Sequence, residues 1–79
     1  MDFPQYRRYS TGSSYFKIVD ERNFVELQFV GKKVFIHQIK ATQYPEMLRI
    51  KDMMDLSLAG IELADSNFVE DLIKQHSSS

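Results

Sequence analysis

The sequence contains no cysteine, and this absence excludes disulfides and thiolate metal sites. A chain of 79 residues buries only about 60–65% of the surface that its unfolded form exposes, so its core is thin. Small domains often compensate with disulfides, a metal or an oligomeric partner. Association with another chain is therefore the remaining way in which this domain could gain stability. The lack of cysteine also fits a reducing compartment.

Glycine is scarce and long apolar runs are missing. The three glycines form neither a GxGxxG pattern nor a P-loop, which argues against nucleotide hydrolysis. No apolar run approaches the ~20 residues needed to cross a bilayer, and the first residues lack the apolar segment of a signal peptide. We therefore expect one small cytoplasmic domain over residues 1–76 and a disordered tail at residues 77–79.

The charge is nearly balanced overall but differs between the two halves of the chain. Residues 1–40 hold seven basic and four acidic side chains, whereas residues 41–79 hold three basic and seven acidic ones. Such an asymmetry can steer a partner, including a second copy of the chain. Small domains also show such imbalances by chance, so the pattern alone decides nothing.

The N-terminal half has the pattern of an antiparallel β-meander. Runs rich in aromatic and β-branched residues alternate with polar turn clusters, and they predict strands near residues 6–9, 14–19, 24–30 and 33–40. The last two runs flank Gly31 and Lys32, a pair that suits a type II′ hairpin turn. A helix over residues 20–31 is the open alternative, but strict alternation of apolar residues favours the strand.

The second half changes to a helical period. Pro45 suits the first turn of a helix, and the spacing of the following apolar residues predicts a helix over residues 45–57 that ends before Gly60. Residues 61–63 offer a short fifth strand. We predict an α+β fold in which the helices lie on one face of the sheet.

A second helix is predicted over residues 67–76. Three candidate N-caps stand in a row, Asp65, Ser66 and Asn67, and if Asn67 is the cap, Glu70 falls at the third helical position, as in a capping box. Phe68 and Val69 then lie on an apolar stripe, and Glu70 is expected to face solvent.

The tetrapeptide Asn-Phe-Val-Glu occurs twice, at residues 23–26 and 67–70. The first copy opens a predicted strand, and the second opens a predicted helix. We interpret the repeated tetrapeptide as one local sequence that adopts two structures, each determined by the surrounding residues, rather than as part of an internal repeat.

The histidines and carboxylates offer little chemistry. The proposed hairpin register places His37 opposite Glu26, but no nucleophile or third orienting group accompanies them, so a cross-strand polar pair is the better interpretation. His76 lies near a helix C-terminus, where a protonated imidazole is favourable. The acidic residues show neither EF-hand nor HExxH spacing. We expect no enzyme activity, no cofactor and no metal.

The hairpin of residues 24–39 carries apolar side chains on both faces. The face with Val25, Leu27 and Phe29 is expected to meet the core, which would leave an apolar patch on the other face. We therefore predict a protein-interaction or regulatory domain that self-associates through a sheet face, with a homodimer as one form. The candidate interaction residues, on that second face and near its edge, are Phe24, Phe35, His37, Ile39, Tyr6, Arg8 and Tyr15.

Two alternatives remain open. Aromatic and basic residues in the first strands, such as Tyr6, Arg8, Tyr15 and Lys17, are typical of weak single-stranded nucleic-acid binders, although the acidic isoelectric point argues against this. The methionines at positions 47, 53 and 54 suit either an adaptable binding groove or the core, and their helical spacing favours the core.

Overall fold

The computed structural model describes residues 3–55 and 59–77. In these ranges five strands form one antiparallel sheet in the order β4-β3-β2-β1-β5, and two helices follow β4 and β5. The elements are β1 (Gln5–Tyr9), β2 (Ser14–Ile18), β3 (Asn23–Val30), β4 (Lys33–Lys40), α1 (Tyr44–Met54), β5 (Ile61–Leu63) and α2 (Ser66–Ser77). The predicted α+β fold with an N-terminal meander is confirmed.

The β3–β4 hairpin has the predicted register. Pairing runs without interruption from Val30–Lys33 to Asn23–Lys40, which excludes the alternative helix over residues 20–31. Gly31 has a φ of 61° at the first central position of the turn, and no non-glycine residue among those described has a positive φ, which includes Lys32. This combination is that of a type II′ turn.

The two helices cover opposite faces of the sheet, so the prediction that both lie on one face is wrong. Successive residues of a strand point to opposite faces. Phe16 packs in a buried cluster with Ile50 and Met53 of α1, whereas its neighbour Tyr15 contacts Phe68 of α2. We call the sheet surface that contains Phe16 the α1 face and the surface that contains Tyr15 the α2 face.

The α1 face is a core even though it contains a carboxylate. Glu26 accepts hydrogen bonds from the Ser14 hydroxyl at 3.1 Å and from the Arg49 guanidinium at 3.2 Å. The same guanidinium lies over the rings of Phe16 and Phe24, 5.5 and 5.4 Å from their centroids. The buried members of this core are Phe16, Ile18, Phe24, Ala41, Ile50 and Met53.

Arg7 connects β1 to the end of α1. Its side chain is buried, and its Nε donates to the carbonyl oxygen of Met53 at 2.8 Å. The last carbonyl groups of a helix lack partners within the helix and carry partial negative charge, so a cation is favourable there. Burial lowers the pKa of Arg7 from its usual value.

The helix boundaries differ from the predicted ones in detail. α1 ends at Met54 and Asp55 is extended, so the prediction that residue 55 is helical is wrong. Residues 56 and 57, which were also predicted to be helical, lie outside the described residues. α2 begins one residue earlier than predicted because Asp65 accepts the backbone N–H of Asn67 at 2.9 Å, in the manner of an N-cap. It continues to Ser77, which was predicted to be disordered. Residues 78 and 79 lie outside the described part of the chain.

No helix within the described residues is long and apolar enough to cross a membrane.

Two methionines of α1 test where the core lies. Met53 is 2% exposed and Met47 is 37% exposed, although both belong to the same helix. We expect Met53→Ala to lower the free energy of unfolding by about 2–5 kcal/mol, because it leaves a cavity in the core. Met47→Ala is the matched control and should cost less than about 1 kcal/mol. Urea unfolding of the two variants checks this, and equal losses would contradict the assignment.

Candidate functional site

β4 forms one outer edge of the sheet. β4 pairs with β3 on one side, and no strand within the described residues pairs with its other side. We call this outer side of Lys33–Lys40 the open edge. The opposite end of the sheet is formed by β5, which has only three residues. The two edges therefore differ in length, and β4 presents the longer one.

The direction of the backbone groups along β4 follows from its pairing. The N–H of Ala41 donates to the carbonyl oxygen of Arg22 at 2.6 Å, just beyond the ladder with β3. Because N–H groups alternate in direction along a strand, the backbone N–H and C=O groups of the odd-numbered residues of β4 point toward β3. The N–H and C=O groups of Val34, Ile36 and Gln38 consequently point out at the open edge.

The predicted interaction residues do not form one surface. Phe35 and His37 are exposed on the α1 face beside the open edge, and the Phe35 ring is 44% exposed. Ile39 is on the same face but is half-buried against the α1 core. Phe24 is 1% exposed, so its predicted place on an accessible surface is wrong. The reason is that α1 covers this face.

Tyr6, Arg8 and Tyr15 lie on the α2 face, and their predicted place beside the second-face residues is wrong. The Tyr15 ring packs against Phe29 and Phe68, with centroid distances of 5.6 and 5.0 Å. The guanidinium of Arg8 lies 5.5 Å from the centroid of Tyr15. The aromatic and basic side chains that suggested nucleic-acid binding are thus largely engaged within the protein.

Glu26 and His37 are opposite each other in the ladder, as the predicted register requires. The carboxylate of Glu26 bonds instead to Ser14 and Arg49. The His37 side chain has no hydrogen bond or ion pair within the part of the chain that the structure describes. The two residues therefore do not form an acid/base pair in this structure.

A polar contact fastens α2 to the sheet. The Tyr6 hydroxyl donates to a carboxylate oxygen of Glu70, and the Lys17 ammonium lies 2.7 Å from the same oxygen. The hydrogen bonds from Lys17 and Tyr6 hold the pKa of Glu70 below its usual value. Burial, followed by the hydrogen bond to Glu70, raises the pKa of Tyr6 to about 12.

The Glu70 side chain stays 42% exposed, as expected for a residue that faces solvent, but its contact with Tyr6 and Lys17 was not predicted. A tyrosine that transfers protons near neutral pH needs a pKa closer to 7, whereas that of Tyr6 is shifted in the opposite direction. Sequence reasoning missed the contact because Glu70 also stands four residues before Lys74, a spacing that suggests an ordinary intrahelical pair.

An apolar groove of about 370 Å³ lies along α1. Met47 and Met54 line it, whereas Met53 is buried in the core, as the helical spacing predicted. Among the described residues, the charged side chains that line the groove are Glu21 and Lys51. The lining residues are Phe3, Glu21, Tyr44, Met47, Leu48, Ile50, Lys51 and Met54.

Within the described ranges no group of three or more His, Cys, Asp or Glu side chains could hold a metal ion. Comparisons with models of protein families, with curated proteins and with solved structures yielded no match. Function is therefore inferred from the surface of this chain, where the open edge presents unpaired backbone groups next to exposed apolar side chains.

The Tyr6–Lys17–Glu70 contact predicts a specific loss of stability in acid. Because the pKa of Glu70 is lowered in the folded state, its stabilisation is present above the unfolded value of about 4.5 and is lost as the pH falls through the folded pKa. Glu70→Gln should cost about 1 kcal/mol at pH 7, since a partly exposed ion pair is screened by water. Urea unfolding between about pH 7 and pH 3 should show a smaller pH dependence for this variant.

Glu62→Gln is the control for this measurement. Glu62 is more exposed, and its nearest cation is the Arg8 guanidinium at 4.0 Å. We expect the wild-type acid sensitivity to persist in this variant. If Glu70→Gln also kept the full wild-type sensitivity, the ion pair would not stabilise α2.

Proposed function

We propose that this chain is a non-enzymatic protein-interaction module that associates with a second copy of itself through the open edge of β4. The observation that carries the proposal is an eight-residue edge strand that has no strand partner on its outer side within the described residues. The absence of cysteine fits a cytoplasmic location, which is part of the same proposal.

The open edge lacks the features that keep sheets from pairing. Proteins protect edge strands by making them short, by placing lysine or proline within them, or by inserting bulges. β5 is short, but β4 has eight residues, contains no proline and pairs with β3 without a bulge. Its two lysines, Lys33 and Lys40, stand at its ends, so its middle is unprotected.

Pairing along β4 would also add stability to a small domain whose core is thin. An added strand would accept and donate hydrogen bonds at Val34, Ile36 and Gln38, and it would cover part of the exposed Phe35 ring. Favourable cross-strand side-chain pairs contribute roughly 0.2–1 kcal/mol each. An oligomeric partner thus supplies the stabilisation that a thin core without disulfides lacks.

The nucleic-acid alternative has less support. Lys17 and Tyr6 are bound to Glu70, and Tyr15 packs against two other rings. Titration with single-stranded oligonucleotides at low and high salt distinguishes the two functions, because phosphate contacts weaken steeply as salt rises.

Gln38 allows a direct test of edge pairing. Gln38→Pro removes an N–H that points outward, and proline is tolerated at such positions of edge strands. We expect this variant to remain folded by circular dichroism but to be monomeric by sedimentation equilibrium. The matched control, Gln38→Ala, retains the N–H and should associate like the wild type.

A wild-type chain that stays monomeric at millimolar concentration would contradict the proposal. So would a folded Gln38→Pro variant that associates as strongly as Gln38→Ala, because the contact would then lie elsewhere.

A further inference from the structure

We infer that in this dimer the two β4 strands run antiparallel with His37 on the two-fold axis, so that the two histidines face each other. The inference rests on the proposed self-association through the open edge. It specifies the register of the contact, the side chains that meet and the pH at which the contact weakens.

Symmetry limits the registers that are available. A homodimer that continues the sheet has its two-fold axis perpendicular to the sheet, and each residue then opposes a residue on the same face. Because the faces alternate along a strand, the axis must pass through a residue that opposes its own copy. Near the middle of Lys33–Lys40 the two candidates are Ile36 and His37.

In either register the outward-pointing backbone groups of β4 form hydrogen bonds with the second copy. With the axis at Ile36, this residue exchanges two hydrogen bonds with its copy. With the axis at His37, the histidines form a pair without mutual hydrogen bonds, and on each side Ile36 bonds to Gln38 of the second copy. The side chains therefore decide between the registers.

The register centred on His37 matches the side chains better on the α1 face. It places Phe35 opposite Ile39 of the second copy, and it does so twice. Aromatic and β-branched residues make favourable cross-strand pairs, and the pairing covers the exposed Phe35 ring. The register centred on Ile36 would instead place Phe35 opposite His37, and Lys33 opposite the half-buried Ile39.

The chosen register has two kinds of less favourable pair, both on the α2 face: apolar Ile36 opposes Gln38 of the second copy, and the other kind lies at the ends of the register. Lys40 opposes Val34 of the second copy, where the flexible lysine stem can cover the valine while its ammonium group stays in water.

Two facing histidines make the contact sensitive to acid. Protonation of both copies of His37 would place two like charges next to each other. The carboxylate that faces His37 from β3 belongs to Glu26, which already bonds to Ser14 and to Arg49 of α1. The other charge on this face of β4 is Lys33, which is also positive. Nothing in this set offsets the repulsion fully, so the dimer should dissociate more readily as the pH falls.

A cysteine scan of β4 tests the register, and the native chain contains no other cysteine to interfere. A pair on the axis without mutual hydrogen bonds has its Cα atoms about 4.5 Å apart, within the range of disulfides. We expect His37→Cys to form a disulfide-linked dimer under mild oxidation much faster than Phe35→Cys or Ile36→Cys. Sedimentation of the reduced variants shows whether each of them still associates.

The outcomes separate this inference from the proposed function. Faster linkage of Ile36→Cys would move the axis and overturn the inference, as would equal linkage at all three positions in variants that associate. A wild-type chain that never associates would defeat the proposed function and the inference with it.

The pH dependence provides a second readout without cysteine. Between about pH 8 and pH 5.5 the wild-type dissociation constant should rise about five-fold, the effect of two unit charges about 4 Å apart in water. His37→Gln should abolish this rise, whereas His76→Gln, which alters the only other histidine, should retain it. A His37→Gln variant with the wild-type pH dependence would overturn the inference.

Discussion

The position of one carboxylate determines how this sheet is covered. Glu26 is on β3 among apolar side chains, and its half-buried carboxylate is hydrogen-bonded to Ser14 and Arg49. Arg49 also covers the rings of Phe16 and Phe24, so a single side chain satisfies the charge and closes the core. This interaction fixes α1 on the face that counts of apolar residues favour less, and the opposite face is left to α2.

Each helix is then held by a cation on the sheet as well as by apolar packing. Arg7 on β1 binds the last turn of α1, and Lys17 on β2 binds Glu70 of α2. Both are on the inner strands of the sheet. β4, by contrast, pairs with β3 on one side only. The backbone groups on its other side have no strand partner within the described residues. The proposed interaction surface is therefore the lateral edge of β4, since α2 packs against one face of this strand.

The local pattern of the sequence was sufficient for the strands but insufficient for the faces. Alternation and the Gly31–Lys32 turn predicted the β3–β4 register because these signals act between neighbours in the chain. The face that α1 covers depends on Arg49, a residue remote from Glu26 in the sequence, and so it was mispredicted together with the exposure of Phe24. The contact of Glu70 was missed for the same reason, since its partners are on β1 and β2. The repeated Asn-Phe-Val-Glu was predicted correctly, because the residues that follow each copy indicated a strand for β3 and a helix for α2.

The shortness of β5 also has a consequence for assembly size. If two sheets join along β4, the composite sheet ends in a β5 strand on both sides, and three residues offer little backbone for a further chain to pair with. A dimer of this kind is a closed assembly, because the same edge of both chains is used in the contact. Contact between unlike edges of successive molecules could instead continue indefinitely as a fibre. An unequal pair of edges thus allows one copy to be added and then stops growth.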